Sequence, residues 1–276
     1  MALSTMLDVK KVEVVGRGLD GSGISGCPGS SLFLQWSILN IKGHYAVSPY
    51  IAEFFNTLSN VPGILLAFLI LVNSIRQGFE KRFSSLNLAT MMVGLGSMLF
   101  HGTLQHVHQQ SEETPMVWLM LMYFYVLYSP DWHYRSTMPT VLFIYGFIFA
   151  IIHSQLRFLL TYQIHYFFLG LLCLPRMYKY YIHMTDRHAK WLAHMYIVTL
   201  LLGCIFWGLD WAFCNKVLPW KVDLHGHALW HFFVGLDYCF ANTYLQFCRA
   251  QQLNWSPQLR YFWGLPYVKI VKPKQQ

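Results

Sequence analysis

The sequence predicts an all-α fold, a polytopic membrane protein built as a seven-transmembrane-helix bundle. Three observations lead there. Of 276 residues, 55% are hydrophobic and only 12% are charged, about half the charge of an ordinary soluble domain. The apolar residues gather into seven stretches, each near the roughly 20 residues that cross a bilayer. The basic residues sit between those stretches in short clusters, where positive charge meets lipid headgroups and sets topology. The net charge of +8 is therefore assigned to the membrane surface and not to nucleic acid.

The chain opens with MALSTMLDVKKVEVVGRGLDGSGISGCPGS, which lacks the continuous apolar core of a signal peptide. Residues 1–45 read as a polar, mobile luminal tail, and the first span must act as the insertion signal. The spans run over 52–75, 86–106, 115–132, 138–156, 159–181, 191–211 and 224–248. The third is short, and the fifth contains Pro175. Residues 46–250 form the membrane domain and 251–276 a cytosolic tail, with no repeat or linker marking a second domain. Thirteen of the 20 lysines and arginines fall on the side that carries the C-terminus. The positive-inside rule then places the N-terminus in the lumen and the C-terminus in the cytosol. An odd number of spans agrees. Two lysines in the terminal KPKQQ fit the early secretory pathway, endoplasmic reticulum or Golgi.

The six cysteines form no CxxC pair. Cys173, Cys204 and Cys239 lie in apolar runs and read as small core residues. Cys27 and Cys214 lie outside such runs and are the two that an oxidising lumen could join.

Histidine inside a membrane is costly and asks for a reason. His227 and His231 are spaced i, i+4, so both rings project from one helix face. His101 lies near the luminal end of the second span, at the same membrane depth. Three imidazoles that leave one position for water form the pattern of a catalytic zinc site. A single histidine at a span end is more often an interfacial hydrogen-bonder. That reading is kept for His106, His108, His133, His183, His188 and His194, while His153 and His165 show no pairing residue. Zinc hydrolysis also needs a base and something to steady the oxyanion. Ser97, four residues before His101, shares its face. Glu112 and Glu113 stand at the luminal mouth beyond it. Asp210, late in the sixth span, is the further acidic group at this depth, placed to orient a ligand histidine from behind.

Several segments together resemble the alkaline ceramidases, seven-helix intramembrane hydrolases related to the adiponectin receptors. These are PYIAEFFNTLSN (49–60), GLGSMLFHGTL (94–104), EETPM (112–116), Asp210 with Cys214, HALWH (227–231) and WGLPYVKI (263–270). The resemblance runs in consistent order from about residue 45 to 270. It implies a zinc-dependent amidase that hydrolyses ceramide to a sphingoid base and a free fatty acid. It further implies zinc on His101, His227 and His231, with Ser97 beside it. Where the family carries a catalytic aspartate, this chain has Glu112. The family's acidic calcium motif before the first span is replaced by Leu39, Asn40, Ile41, Lys42 and His44, with Glu53 alone retained. Calcium prefers several oxygen ligands, so no calcium site is expected. The family's partner for Cys214 is missing as well.

Two other classes compete with this reading. A low-turnover receptor or signalling protein of the same superfamily would keep a structural zinc, and the glutamate and the lost calcium motif favour it. A proton-relaying transporter would spread polar residues along several spans, whereas here they cluster at one depth. The partners implied are a ceramide-like lipid and the bilayer; no protein partner can be inferred.

Overall fold

The computed structural model describes residues 47–131, 137–156, 159–217 and 225–271. A short helix α1 (Phe54–Leu58) leads into α2 (Asn60–Gln77). Then come α3 (Lys81–Thr103), α4 (His106–Tyr128), α5 (Met138–Leu156), α6 (Leu159–His183), α7 (Arg187–Val217) and α8 (Gly226–Gln252). Among the described residues, four segments are long and apolar enough to cross a membrane: Phe54–Gln77, Lys81–Thr103, Met138–Gln155 and Arg187–Asp210. Helices α4, α6 and α8 are of similar length, at 23, 25 and 27 residues. The first and last of these carry Glu112 and the His227–His231 pair of the site.

Local chemistry sets the boundaries. Helix α2 stops at Gly78, whose φ of 66° puts it in the left-handed region and whose N–H bonds back to Ser74 and Ile75, an ordinary glycine C-terminus. Helix α4 begins nine residues before the third predicted span. Its first turns are polar (HVHQQSEET) and Pro115 lies inside it, a pattern that in sequence marks a helix start at the proline. Glu112 and Glu113 consequently stand on a helix and not in a loop.

Helix α8 is the axis of the bundle, with seventeen of its residues buried. It packs on α7 and α2, while α3 packs on α2 and α4. Two close approaches need glycine. A Cβ on Gly235 would lie 2.8 Å from the Gly63 Cα, and one on Gly96 only 1.8 Å from the Ser111 carbonyl oxygen. At the opposite end from the histidines, Glu80 is paired by both Arg82 and Arg249, tying the α2–α3 turn to the end of α8.

The fold departs from all-α in the segment read as a cytosolic tail. Strands β1 (Ser256–Phe262) and β2 (Leu265–Val271) form an antiparallel hairpin. Its two-residue turn is Trp263–Gly264, both at positive φ (51° and 81°), the combination that matches strand twist in tight hairpins. Val268 is fully buried, so the segment is packed against the bundle.

Candidate metal centre

The site forms where the C-terminal end of α3 meets the N-terminal end of α8. On α3, Ser97 and His101 are one turn apart; on α8, His227 and His231 are likewise. The His101 Nε2 lies 3.2 Å from the Nε2 of His227 and 3.2 Å from that of His231. The three ligand nitrogens all lie within 4.8 Å of one another. His101 is 3% exposed and His231 is 9% exposed. The matched depth expected from the sequence is what the fold brings together.

Glu53 fixes His101. Its backbone N–H donates to the His101 carbonyl at 3.0 Å, and Ala52 N–H donates to that of Gly102 at 3.0 Å. The Glu53 Oε2 then accepts from His101 Nδ1 at 2.6 Å, and from Asn56 Nδ2 at 2.9 Å. A carboxylate accepts, so a proton resides on Nδ1, and in the neutral ring the lone pair is on His101 Nε2. That lone pair faces two further imidazole nitrogens inside the protein. Such a donor set, with its tautomer held from behind, fits a divalent cation.

Around it stand the acid–base groups. Glu112 Oε1 is 3.8 Å from His101 Nε2, and the Glu112 carboxylate also interacts with the Ser97 side chain. Ser97 is 1% exposed and accepts a hydrogen bond from Asn60 Nδ2 at 3.1 Å. With an amide donating to its oxygen, its single O–H is directed at the Glu112 carboxylate. Asn60 is itself held by the Asn56 carbonyl at 2.9 Å.

Glu53 is the carboxylate behind His101, and Asp210 lies beside Gly226, whose Cβ, if present, would be 2.8 Å from the Asp210 Cβ. Three expectations are revised. His153 does have a partner: its Nε2 is 2.7 Å from Glu113 Oε2 in a buried pair, and Gln109 donates to Glu113 Oε1 at 2.9 Å. His165 pairs with the Tyr145 hydroxyl at 2.9 Å. Cys173 and Cys239 are buried and free, whereas Cys204 is exposed. Residues 39–44, Cys27, His133 and the side chains of His106 and Cys214 lie outside the described residues.

The family model described as Ceramidase matches residues 43–269, a stretch that contains every residue of this site. The chain belongs to the ceramidase family. It is therefore a hydrolase. The protein named Alkaline ceramidase in Arabidopsis thaliana is 60% identical over 234 residues, covering 84% of this chain and 92% of its own length. Alkaline ceramidase 3 of Mus musculus is 25% identical over 250 residues, covering 84% of this chain and 91% of its own. Alkaline ceramidase YPC1 of Saccharomyces cerevisiae is 28% identical over 249 residues, covering 80% and 78%.

Within this ceramidase-family chain, sequence reasoning missed the roles of Asn56, Asn60 and the Glu113–His153 pair. Glu53, Asn56 and Asn60 recur at spacings of three and four residues in EFFNTLSN. A polar face at helical spacing at the start of an apolar span was the available signal.

Proposed function

We propose that this protein is a zinc-dependent amidase working within the membrane, which hydrolyses ceramide to a sphingoid base and a free fatty acid. The buried meeting of three imidazole nitrogens with Ser97 and Glu112 carries the reading, together with the names of the relatives. In this proposal His101, His227 and His231 hold the ion, which supplies Lewis acidity and a water of lowered pKa.

The protein's own groups account for the rest. Glu53 keeps His101 in one tautomer and one orientation. Glu112, 3.8 Å from the His101 nitrogen, receives the proton of the attacking water and delivers it to the departing amine nitrogen. Ser97, whose oxygen is occupied by Asn60, turns its hydroxyl proton toward the carbonyl oxygen as negative charge grows there. One water is consumed, the C–N bond breaks, and the fatty acid and amine leave. A lipid amide reaches such a site laterally from the bilayer, which suits a centre at the ends of α3 and α8.

The proposal includes seven membrane-crossing helices within residues 46–250, with the site toward the lumen, the C-terminus cytosolic, and residence in the endoplasmic reticulum or Golgi. Purified protein should contain about one zinc per chain, as a single three-histidine centre requires, and should release fatty acid from ceramide. His231→Ala should lose both while still entering the membrane. Unchanged turnover in His231→Ala would overturn the proposal. Bound zinc without turnover in the native protein would favour the receptor-like alternative.

A further inference from the structure

The C-terminal hairpin lies against α8 and α2, alongside the membrane-length helices. Leu265, just past the turn, packs on the cluster of Leu66, Ile70 and Cys239. Ile70 is seven residues inside the end of the segment Phe54–Gln77, roughly 10 Å at the helical rise. Pro266 is close to α8 as well, its carbonyl accepting from Thr243 Oγ1 at 3.5 Å. Thr243 precedes the ion-paired Arg249 by six residues, roughly 9 Å along the helix. The strands therefore run back from the charged end of the bundle toward its middle.

The hydrogen bonding of β2 suits that depth. A strand edge facing lipid leaves groups that hydrocarbon cannot solvate, at several kcal/mol each. On the side of β2 away from β1, Asn73 Nδ2 donates to the Val268 carbonyl at 3.0 Å, and Gln77 Oε1 accepts from Ile270 N–H at 3.2 Å. Asn73 and Gln77 are one turn apart on α2, so one helix face serves alternate residues of the strand. Pro266 and Pro257, which have no N–H, stand at positions paired with Tyr261 and Ile270, where a missing donor costs nothing.

Polarity changes along the hairpin in the same sense. From Tyr261 to Leu265 the tip holds no charged residue, whereas the strands behind it carry Arg260, Gln258, Ser256 and Lys269, with the exposed Val271 at the open end. Trp263 is 92% exposed. Phe262 and Trp263 stack at 6.0 Å, and Tyr261 meets Trp191 of α7 edge-on at 6.3 Å. The tip thus continues the apolar outer surface of α2 and α7, where Leu69, Phe68 and Ile197 are also exposed.

We infer that this hairpin is a re-entrant membrane element: its tip, Phe262–Leu265, contacts lipid acyl chains, and its strands shield the polar Thr243 of α8 from the bilayer. The bilayer is the occupant that the polarity gradient and the continuity with the outer apolar surface select. This inference is independent of the zinc and ceramide reading.

The test uses the full chain in phosphatidylcholine nanodiscs. Trp263 and, as a control at the open end, Gln258 are replaced one at a time by the photoreactive benzoylphenylalanine. Illumination should attach phospholipid at position 263 several-fold more than at 258, read by mass spectrometry of the peptide. In the native protein, hydroxyl-radical footprinting should find Trp263 protected even though the protein leaves 92% of it exposed. Rapid oxidation of Trp263, equal lipid attachment at the two positions, or attachment at 263 to a second protein chain would overturn the inference.

Discussion

Replacing Gly96 by alanine tests how the site is assembled. Gly96 precedes Ser97 on α3, and Ser111 precedes Glu112 on α4. A Cβ at residue 96 would sit 1.8 Å from the Ser111 carbonyl oxygen and 3.1 Å from the Glu112 nitrogen. Carbon and oxygen settle at about 3.3 Å, so the helices must part locally by about 1.5 Å. The obstacle is backbone, which cannot rotate away. Ser97 and Glu112 move apart by a similar distance, while the three histidines, on α3 and α8, keep their own packing. Misplacement near 1 Å costs about a hundredfold in rate, or roughly 2.7 kcal/mol of transition-state stabilisation. Gly96→Ala should therefore lower kcat for ceramide by at least that factor, with zinc content unchanged. Fatty-acid release by the purified variant, metal analysis and thermal unfolding measured side by side make the assay. Gly208→Ala, whose Cβ would meet nothing within 4 Å, is the control and should match the native protein. Native turnover in Gly96→Ala would refute the assignment of Ser97 and Glu112 as partners.

Further outcomes follow from the same contacts. Glu112→Gln should retain zinc and lose about 10²- to 10⁴-fold in kcat, the range for removing a positioned general acid–base, measured on ceramide at saturating substrate. Glu53→Ala frees His101 Nδ1 and should weaken metal affinity by about 10- to 100-fold, read by competition with a zinc chelator. His153→Ala leaves the Glu113 carboxylate buried without its partner, and should cost about 3–5 kcal/mol of stability in denaturant titration of the micellar protein. Converting both residues to leucine should recover most of that loss. Asn73→Leu strips a donor from the buried Val268 carbonyl, and should destabilise by about 1–3 kcal/mol in the same titration.

Much of this architecture could be read from the chain. Every long helix overlaps a stretch picked out by apolar length, though α2 begins eight residues later than its stretch and α4 nine residues earlier. There the polar run before Pro115 imitates a loop, because polarity that faces inward and polarity that faces water look the same in one dimension. The histidine trio was legible because i, i+4 spacing and matched depth are both one-dimensional quantities. Ser97 was legible through its place one turn before His101. Glu53 was visible only as a leftover of a calcium motif, and its contact with His101 spans 48 residues of sequence. The hairpin was hidden because Trp263–Gly264 is an uncommon turn pair and its strands alternate weakly.

Taken alone, the sequence determined that the chain is built of membrane-length apolar stretches and that His227 and His231 share one helix face. Those properties depend on composition and on periodic spacing, which survive without coordinates. Only the tertiary structure decided which carboxylate backs which histidine, that Asn60 steadies Ser97, and that the terminal strands turn back along α2 and α8. These outcomes hang on contacts of about 3 Å between distant segments, set by how helices rotate and how closely glycines let their backbones approach.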